Sequence, residues 1–297
     1  MSAAQPVGFI GTGAMGIEMV LRLLAAGRPV IVSNRTRANA AGAEQAGAEW
    51  AETPRLVGER ADIVLSCLLD SDAVERVYLG SGGLIETART GQILVEHGTF
   101  SPVLAAELQR RFAALGAEFV DMPVTGGPEG TRAGRLAAMA GGSPAAIEAV
   151  TAVVAPYCSQ VTRIGGPGAG LRLKLVNQLL VSSHMASAAE AVALLNRLGI
   201  DLGTAGSVLE RGWAASAMLT RALTQLGAGA VHDTGVRTVG MIEIQELIEE
   251  LLDDRDAYPV FAGSRTVFER AIALGLGDED PAAMHLAVSP ERIQEES

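Results

Sequence analysis

The chain has 297 residues, of which 48% are hydrophobic and 4% aromatic, enough to bury one large or two moderate domains with a core of mainly Ala, Leu and Val. The formal net charge of −11, with no Lys/Arg-rich block to offset it, argues against nucleic acid or an anionic membrane as a partner and favours small metabolites. The first strand comes too early for a signal peptide, and we expect no apolar stretch able to span a bilayer, so the predicted location is the cytoplasm.

The two cysteines, Cys67 and Cys158, are far apart and form neither a disulfide framework nor a metal-ligand spacing. Each is expected to be a small buried hydrophobic residue. No other group of His, Cys and carboxylate residues has ligand spacing either, so we predict no metal site.

The chain opens with a strand, a tight turn and a helix. The turn, GTGAMG, has the glycine spacing of the dinucleotide-binding fingerprint. Gly11 permits the turn, Gly13 lets the backbone approach a pyrophosphate, and Gly16 lets helix and strand pack closely. Free N–H groups at the helix N-terminus then bind phosphate. The predicted cofactor-binding residues here are Gly11, Thr12, Gly13, Ala14, Met15 and Gly16.

The second strand ends at Asn34, Arg35 and Thr36, where an NAD site usually carries an acidic residue for the adenosine ribose. Arg35 offers a guanidinium instead, with Asn34 and Thr36 as hydrogen-bonding neighbours, which suits a 2′-phosphate. The sequence therefore predicts a preference for NADP(H) over NAD(H). A solvated loop arginine is the alternative interpretation.

Strands and helices continue to alternate, which is typical of a parallel sheet covered on both faces. The loops Leu68–Asp70 and His97–Thr99 follow two of these strands and should reach the cofactor, so Leu68 and Leu69 are further candidates. His97 is a possible acid or base, but no carboxylate of evident purpose is near it in the sequence. We expect it not to be catalytic.

The segment 121–142 is predicted to be a shaped loop, because Pro123 and two adjacent glycines do not suit a regular central strand or helix. Thr125, Gly126 and Gly127 present a hydroxyl and consecutive backbone N–H groups, which can hold a small anion such as a carboxylate. A plain turn is the alternative. A further strand, helix and strand complete the first domain.

Lys174 is the one lysine among 23 Lys and Arg residues. A lysine, unlike an arginine, can lose its proton when buried, so it can donate and accept protons. It opens a long segment without proline that is apolar on most faces and is predicted to be a buried helix. Asn177 and Gln178 lie three and four residues further on, on the same helical face. The alternative interpretation of Lys174 is that one lysine remained by chance. The alternative for the two amides is that they bond only solvent.

After this helix the remaining segments all indicate helices, and residues 290–297 are expected to fray. We predict an α/β protein with an N-terminal Rossmann-type, doubly wound, NADP-binding domain over 1–164. Residues 165–297 are predicted to form the long interdomain helix and an all-α domain for substrate binding and dimerisation. Such a domain often completes its core against a second subunit, so a homodimer or higher homo-oligomer is expected.

Four motifs in this order resemble the β-hydroxyacid dehydrogenase family, which includes 3-hydroxyisobutyrate dehydrogenases, tartronate semialdehyde reductases and glyoxylate or succinic semialdehyde reductases. The motifs are VGFIGTGAMG, DMPVTGGPEGTRAG, GPGAGLRLKLVNQ and GLGDED. The resemblance implies that Lys174 is the catalytic acid or base and that Asn177 and Gln178 hold the substrate. It also implies that Thr125 to Gly127 bind the substrate carboxylate and that Thr99 lies near the nicotinamide.

The chain departs from the family pattern at several positions. Thr125 stands where the family has serine, and Glu243 and Ile244 align with the family's Lys-Asp pair on a later helix. Arg211 and Trp213 are candidates to reshape the pocket, unless they are a salt-bridged helix arginine and a core tryptophan.

The expected activity is NADP(H)-dependent hydride transfer involving a small β-hydroxyacid or acid semialdehyde. The alternatives are an imine reductase of similar architecture and a non-catalytic NADP(H)-binding protein.

Overall fold

The computed structural model describes residues 5–227 and 236–288. The chain divides into two compact units, Met1–Lys174 and Leu175–Ser297. This division falls inside the long helix, ten residues after the predicted boundary at residue 164, and the domain boundary itself stays a prediction. The tail 290–297 lies outside the described residues.

The first unit alternates strands and helices. The strands are β1 Val7–Ile10, β2 Val30–Ser33, β3 Glu49–Trp50, β4 Ile63–Ser66, β5 Ile93–Glu96, β6 Glu118–Asp121, β7 Val124–Thr125, β8 Leu136–Gly141 and β9 Cys158–Gly165. The helices are α1 Ala14–Ala25, α2 Ala41–Gln45, α3 Pro54–Arg60, α4 Ser71–Leu79, α5 Pro102–Ala113, α6 Gly127–Arg132 and α7 Pro144–Val154, with the start of α8 Ala169–Arg197.

These strands form one sheet in the order β3-β2-β1-β4-β5-β6-β8-β7, with β9 paired to β8. Strands β1 to β6 pair in parallel, and the strand order reverses between β1 and β4. Ligands of such sheets bind at this reversal, outside the carboxyl ends of the strands. The predicted Rossmann-type fold is confirmed. The far end of the sheet is mixed, because β8 runs antiparallel to β6 and β7.

The sheet is buried on both faces. Leu65 and Val95 belong to one apolar cluster, and their chain neighbours Val64 and Leu94 belong to the cluster on the other face. Because successive side chains of a strand point to opposite faces, both clusters draw on the same strands. This explains why the central strands are continuous apolar runs.

The expectation of a loop over 121–142 was wrong in part. Thr125 ends the two-residue edge strand β7, where it pairs with Ala137 of β8. Helix α6 begins only two residues later, and its first turn accommodates Pro128 because the first N–H groups of a helix have no intrahelical acceptor. An edge strand and a short helix thus occupy a segment whose composition indicated only a turn.

Asp121 fixes the start of α8. Its buried carboxylate accepts hydrogen bonds from the backbone N–H of Gly168 (2.7 Å) and of Leu171 (2.9 Å). At Gly170 a Cβ atom would lie 2.2 Å from the carbonyl oxygen of Met139, so the helix meets β8 backbone to backbone. The carboxylate satisfies N–H groups that a helix leaves free at its N-terminus.

The described part of the second unit is all-α, as predicted. It contains the rest of α8, then α9 Leu202–Leu209, α10 Ala217–Gly227, α11 Thr238–Glu249, α12 Pro259–Ala273 and a 3-10 segment Pro281–Ala287. Helices α8, α11 and α12 share an apolar cluster that includes Met185, Met241 and Phe268. Arg221 of α10 forms an ion pair with the buried carboxylate of Asp280.

Helix α8 corrects two expectations. By length and composition it is long and apolar enough to cross a membrane, because it has too few polar residues to lower the mean hydropathy of an 18-residue window. Core helices pass the same test, and 44% of that window is buried inside the protein. The helix is also less buried than predicted, since Val176, Leu180 and Leu194 are each 49% to 55% exposed.

Replacing Asp121 by Ala should lower the free energy of unfolding by about 2–4 kcal/mol, because two backbone N–H groups lose their acceptor in a buried setting. Urea denaturation measures the change. Ser143→Ala is the matched control, since the hydroxyl of Ser143 caps α7 through a single bond to Ala146 and its loss should cost about 1 kcal/mol. Equal losses in the two variants would contradict the assigned role of Asp121.

Candidate active site

Two glycines of the first turn are required by close backbone contacts. Gly11 has φ +92°, and a Cβ atom there would lie 2.5 Å from the carbonyl oxygen of Cys67. At Gly16 a Cβ atom would lie 1.9 Å from the carbonyl oxygen of Gly11. These contacts press the loop after β1 against the loop after β4 and against the first turn of α1, as the fingerprint predicts.

Gly13 has a different explanation. It precedes α1 in an extended conformation, and a Cβ atom there would meet nothing within 4 Å, so neither strain nor packing accounts for the glycine. No side chain caps α1, whose first residues are Ala14 and Met15. The hydroxyl oxygen of Thr12 is buried and has no hydrogen-bond partner among the described residues. A bare helix N-terminus, an open glycine and a free hydroxyl fit a cofactor pyrophosphate.

The loop after β2 is tied to this turn through Asn34. The backbone N–H of Thr12 donates to Asn34 Oδ1 (3.1 Å), and Asn34 Nδ2 donates to the carbonyl oxygen of Thr36 (2.9 Å). The side chain of Arg35 is exposed and forms no ion pair or hydrogen bond within the described ranges. Arg37, in contrast, pairs with Glu44. Arg35 is therefore the guanidinium of this loop that is available to a phosphate.

The loops after β4 and β5 are joined by Glu96, a buried residue that the sequence analysis missed. Its Oε1 accepts hydrogen bonds from the backbone N–H of Leu68 (2.9 Å) and of Gly98 (2.6 Å). Leu69 is 70% exposed, and Thr99 is half-buried. A carboxylate at the end of an otherwise apolar strand was the available signal, because acidic residues are rarely buried without partners.

The candidate cofactor residues are brought together by strand order. They follow β1, β2, β4 and β5, which lie side by side, so they all belong to the carboxyl edge of the sheet.

His97 forms a buried link inside the first unit. Its Nδ1 bonds the carbonyl oxygen of Met122 (2.8 Å), and its Nε2 bonds the hydroxyl of Tyr157 (3.0 Å). Burial lowers the pKa of the imidazole to about 4, so the ring is neutral at physiological pH. Both ring nitrogens are engaged by the protein, which gives His97 a structural role.

The candidate anion-binding residues lie where β7 meets α6. Gly126 (φ +128°) and Gly127 (φ +64°) adopt backbone conformations that favour glycine, and both are exposed. The hydroxyl of Thr131 donates to the carbonyl oxygen of Gly127 (3.0 Å), which holds the first turn of α6. Thr125 is half-buried, and its side chain forms no hydrogen bond with the described residues.

Lys174 is a buried amine without a counter-charge. It is 8% exposed and forms no ion pair or hydrogen bond with the residues that the structure describes. Burial lowers the pKa of its ammonium to about 8, because the charged form loses hydration and no carboxylate replaces it. An amine with this pKa exchanges protons near neutral pH.

Asn177 and Gln178 follow on the same helix and belong to the second unit. Gln178 is buried, and the Oδ1 atom of Asn177 is buried without a hydrogen-bond partner among the described residues. Unpaired buried amide oxygens are uncommon and call for a ligand or water. The amide oxygen of Asn177 therefore retains hydrogen-bonding capacity.

The positions aligned with the family's Lys-Asp pair have no buried charge. Glu243 is exposed, and Ile244 packs in the apolar core of the second unit. The neighbouring Gln245 is fully buried, and neither of its amide atoms has a partner in the described parts of the chain. The alternative interpretations of Arg211 and Trp213 were wrong, because Trp213 is fully exposed and Arg211 has no ion pair with a described residue.

Over residues 5–227 and 236–288, no group of three or more His, Cys, Asp or Glu side chains is arranged to hold a metal ion.

Two family profiles cover most of the chain. Residues 6–166 match the NAD binding domain of 6-phosphogluconate dehydrogenase. Residues 168–287 match the family described as NAD-binding of NADP-dependent 3-hydroxyisobutyrate dehydrogenase. The two matches meet in the glycine-rich turn before α8.

Characterised relatives are similar over nearly their whole length. The 2-(hydroxymethyl)glutarate dehydrogenase of Eubacterium barkeri is 30% identical over 96% of this chain and 95% of its own. The L-threonate dehydrogenase of Cupriavidus necator is 29% identical, with 95% of both chains covered.

Solved structures share the fold. The structure of Psf3 in complex with NADP+ and 2-OPP aligns with a TM-score of 0.90 at 31% identity, over 95% of this chain and 100% of that one. An imine reductase from Pseudomonas sp. aligns with a TM-score of 0.65 at 18% identity, over 96% of this chain and 99% of that one. At that identity the second likeness concerns the fold alone.

Proposed function

Because the chain belongs to the β-hydroxyacid dehydrogenase family of NAD(P)-dependent oxidoreductases, we propose that it interconverts a small β-hydroxyacid and the matching acid semialdehyde, with NADP(H) as the preferred cofactor. The observation that carries this proposal is Lys174, a buried amine without a counter-charge on the helix that follows the cofactor domain. When bound, the nicotinamide supplies or accepts the hydride. The chain itself must supply orientation and one proton.

Lys174 is proposed as the proton donor and acceptor. In reduction its ammonium gives a proton to the carbonyl oxygen of the substrate while hydride reaches the carbonyl carbon, and the product is an alcohol. In oxidation its neutral amine removes the hydroxyl proton while hydride leaves the carbon. The lowered pKa of Lys174 supports both directions, because both protonation states are populated near pH 8.

The remaining candidates are proposed to bind the substrate. Thr125, Gly126 and Gly127 would hold its carboxylate through a hydroxyl and backbone N–H groups. Asn177 and Gln178 would bind its oxygen atoms, a role that the unpartnered Oδ1 of Asn177 supports. A small carboxylate-bearing metabolite is the substrate class that these groups suit.

The activity is tested by the loss of NADPH absorbance with a panel of acid semialdehydes, 3-oxo acids and cyclic imines. Fast loss with an acid semialdehyde is expected. Loss with imines alone would favour the alternative of an imine reductase. NADPH binding without turnover of any panel member would favour a non-catalytic binding protein.

Lys174→Ala should lower kcat by about 10²–10⁴-fold, the usual contribution of general acid–base catalysis, while the Kd for NADPH stays within about threefold. In the wild-type enzyme, oxidation should accelerate as pH rises through about 8, because only the neutral amine accepts a proton. Reduction should slow over the same interval, because only the ammonium donates one. Steady-state kinetics in both directions from pH 6 to 10 measures this.

Lys174→Arg is the matched variant, since it keeps the positive charge but cannot titrate in this range. Arg172→Ala removes an exposed basic residue of the same helix and should leave kcat unchanged. Near wild-type turnover in Lys174→Ala would refute the proposed role. So would a Lys174→Ala enzyme whose oxidation and reduction rates still change through about pH 8.

Arg35→Ala should raise the Kd for NADPH by about tenfold or more and leave the Kd for NADH within about twofold, because a charge-assisted bond to the 2′-phosphate is worth roughly 1.5–3 kcal/mol. Isothermal titration measures both constants. Arg37→Ala is the control, since that guanidinium already pairs with Glu44 and lies 5.2 Å from the centroid of the Trp50 ring. Equal losses for both cofactors would assign NADP preference to other residues.

The second unit is proposed to form a homodimer or higher homo-oligomer through α8. Val176, Leu180 and Leu194 leave exposed apolar surface on one helix, which is the kind of surface that subunit interfaces cover. We also propose that the protein is located in the cytoplasm. The two cysteines are both free thiols, as expected in a reducing compartment.

A further inference from the structure

Glu96 occupies a position at which a buried carboxyl group needs an explanation. It is fully buried at the end of β5, where the preceding residues of the strand are apolar. Burial raises the pKa of its carboxyl group, because the charged form loses hydration, and a buried polar group is retained only where it has partners. Its partners show what the carboxyl group provides.

The Oε1 atom of Glu96 serves two loops at once. It accepts the backbone N–H of Leu68, in the loop after β4, and the backbone N–H of Gly98, in the loop after β5. The Oε2 atom accepts the hydroxyl of Ser66, and the hydroxyl of Tyr78 lies in hydrogen-bonding contact with Ser66 as well. The carboxyl group is therefore held from behind while one oxygen joins the two loops.

The two loops are also in direct contact. A Cβ atom at Gly98 would lie 2.4 Å from the carbonyl oxygen of Leu68 and 2.7 Å from Oε1 of Glu96, so only glycine fits there. Further along, the backbone N–H of Ser101 donates to the hydroxyl of Ser71 (3.1 Å). The loop after β4 in turn contacts the glycine turn through Gly11. Glu96 thus holds one part of a continuous row of loops.

We propose that Glu96 is a positioning residue that fixes the loops Leu68–Asp70 and His97–Thr99 against each other so that they form one wall of the cofactor site. The group that acts is a buried acceptor oxygen that receives two backbone N–H groups, not a negative charge. This inference rests on the proposed function for the place where the cofactor binds, at the carboxyl edge of β1, β4 and β5. Glu96 itself touches neither cofactor nor substrate in this role.

Substitutions of similar shape at Glu96 differ in whether they keep an acceptor oxygen. In Glu96→Gln the amide oxygen can still accept both N–H groups, and the amide nitrogen can donate to the oxygen of Ser66. In Glu96→Met the side chain keeps its length but has no strong acceptor, so both loops lose their common partner. Glu96→Asp keeps the carboxylate but shortens its reach by one methylene.

The experiment is a titration of each variant with NADPH by isothermal calorimetry, with kinetics alongside. The Kd of Glu96→Gln for NADPH should lie within about threefold of the wild-type value. The Kd of Glu96→Met should rise about tenfold or more, and a tenfold rise corresponds to about 1.4 kcal/mol of binding free energy. Glu96→Asp should lie between them. If the Met variant does not fold, the comparison of Asp, Gln and wild type still decides the matter.

Gln92→Met is the matched control. Gln92 is buried just before the other end of β5 and donates to the carbonyl oxygens of Gly58 and Ala61 (2.8 and 2.9 Å). Its loss should lower thermal stability while the Kd for NADPH stays within about threefold of the wild type. A control that weakens binding as much as Glu96→Met would overturn the inference, because general destabilisation would then account for both.

Two other results would overturn it as well. Unchanged affinity in Glu96→Met or Glu96→Asp would mean that the loops keep their arrangement without the shared oxygen. Affinity lost equally in Glu96→Gln and Glu96→Met would assign the effect to the charge. Failure of the wild-type protein to bind either NADPH or NADH is a separate result, which would refute the proposed function.

Discussion

Close backbone contact at the carboxyl edge of the sheet is the constraint on which the cofactor domain depends. At Gly11, Gly16 and Gly98 a single added carbon would lie between 1.9 and 2.5 Å from a carbonyl oxygen of a neighbouring loop. Loops packed so closely that they leave no room for a Cβ atom have few alternative arrangements, because an extra methyl group would displace one of them. The edge is therefore formed largely by main chain, with Glu96 and Asn34 as the side chains that join it.

Lys174 illustrates a different physical effect, the burial of a charge. An arginine at the same place would keep its proton, whereas burial brings the ammonium of a lysine within reach of neutral pH. No described carboxylate compensates for the lost hydration. Desolvation alone thus lowers the pKa of the amine.

Much of the fold was predictable from the sequence because local patterns and global structure agree. The glycine spacing around Gly13, the apolar strands and the alternation with helices all indicate one doubly wound sheet, and the sheet is present. The segment around Thr125 was misjudged as a loop. A two-residue edge strand and a six-residue helix are defined by partners far away in the sequence, and composition alone does not indicate them.

The candidate site was predictable to different degrees. Residues such as Gly11 and Lys174 could be named because the glycine spacing and the single lysine are visible in the sequence itself. Glu96 was missed because its role depends on two loops that meet only in the folded chain. The unpartnered amide of Gln245 was missed for a similar reason, since burial of one side of α11 follows from tertiary packing.

Asp121 connects the end of β6 with the start of α8. It ends the strand that leads to Thr125 and Gly126, and its carboxylate also holds the first turn of the helix that carries Lys174. A substitution here would disturb both the turn at Gly126 and the start of α8. The placement of the helix start therefore depends on a carboxylate from a strand far earlier in the chain.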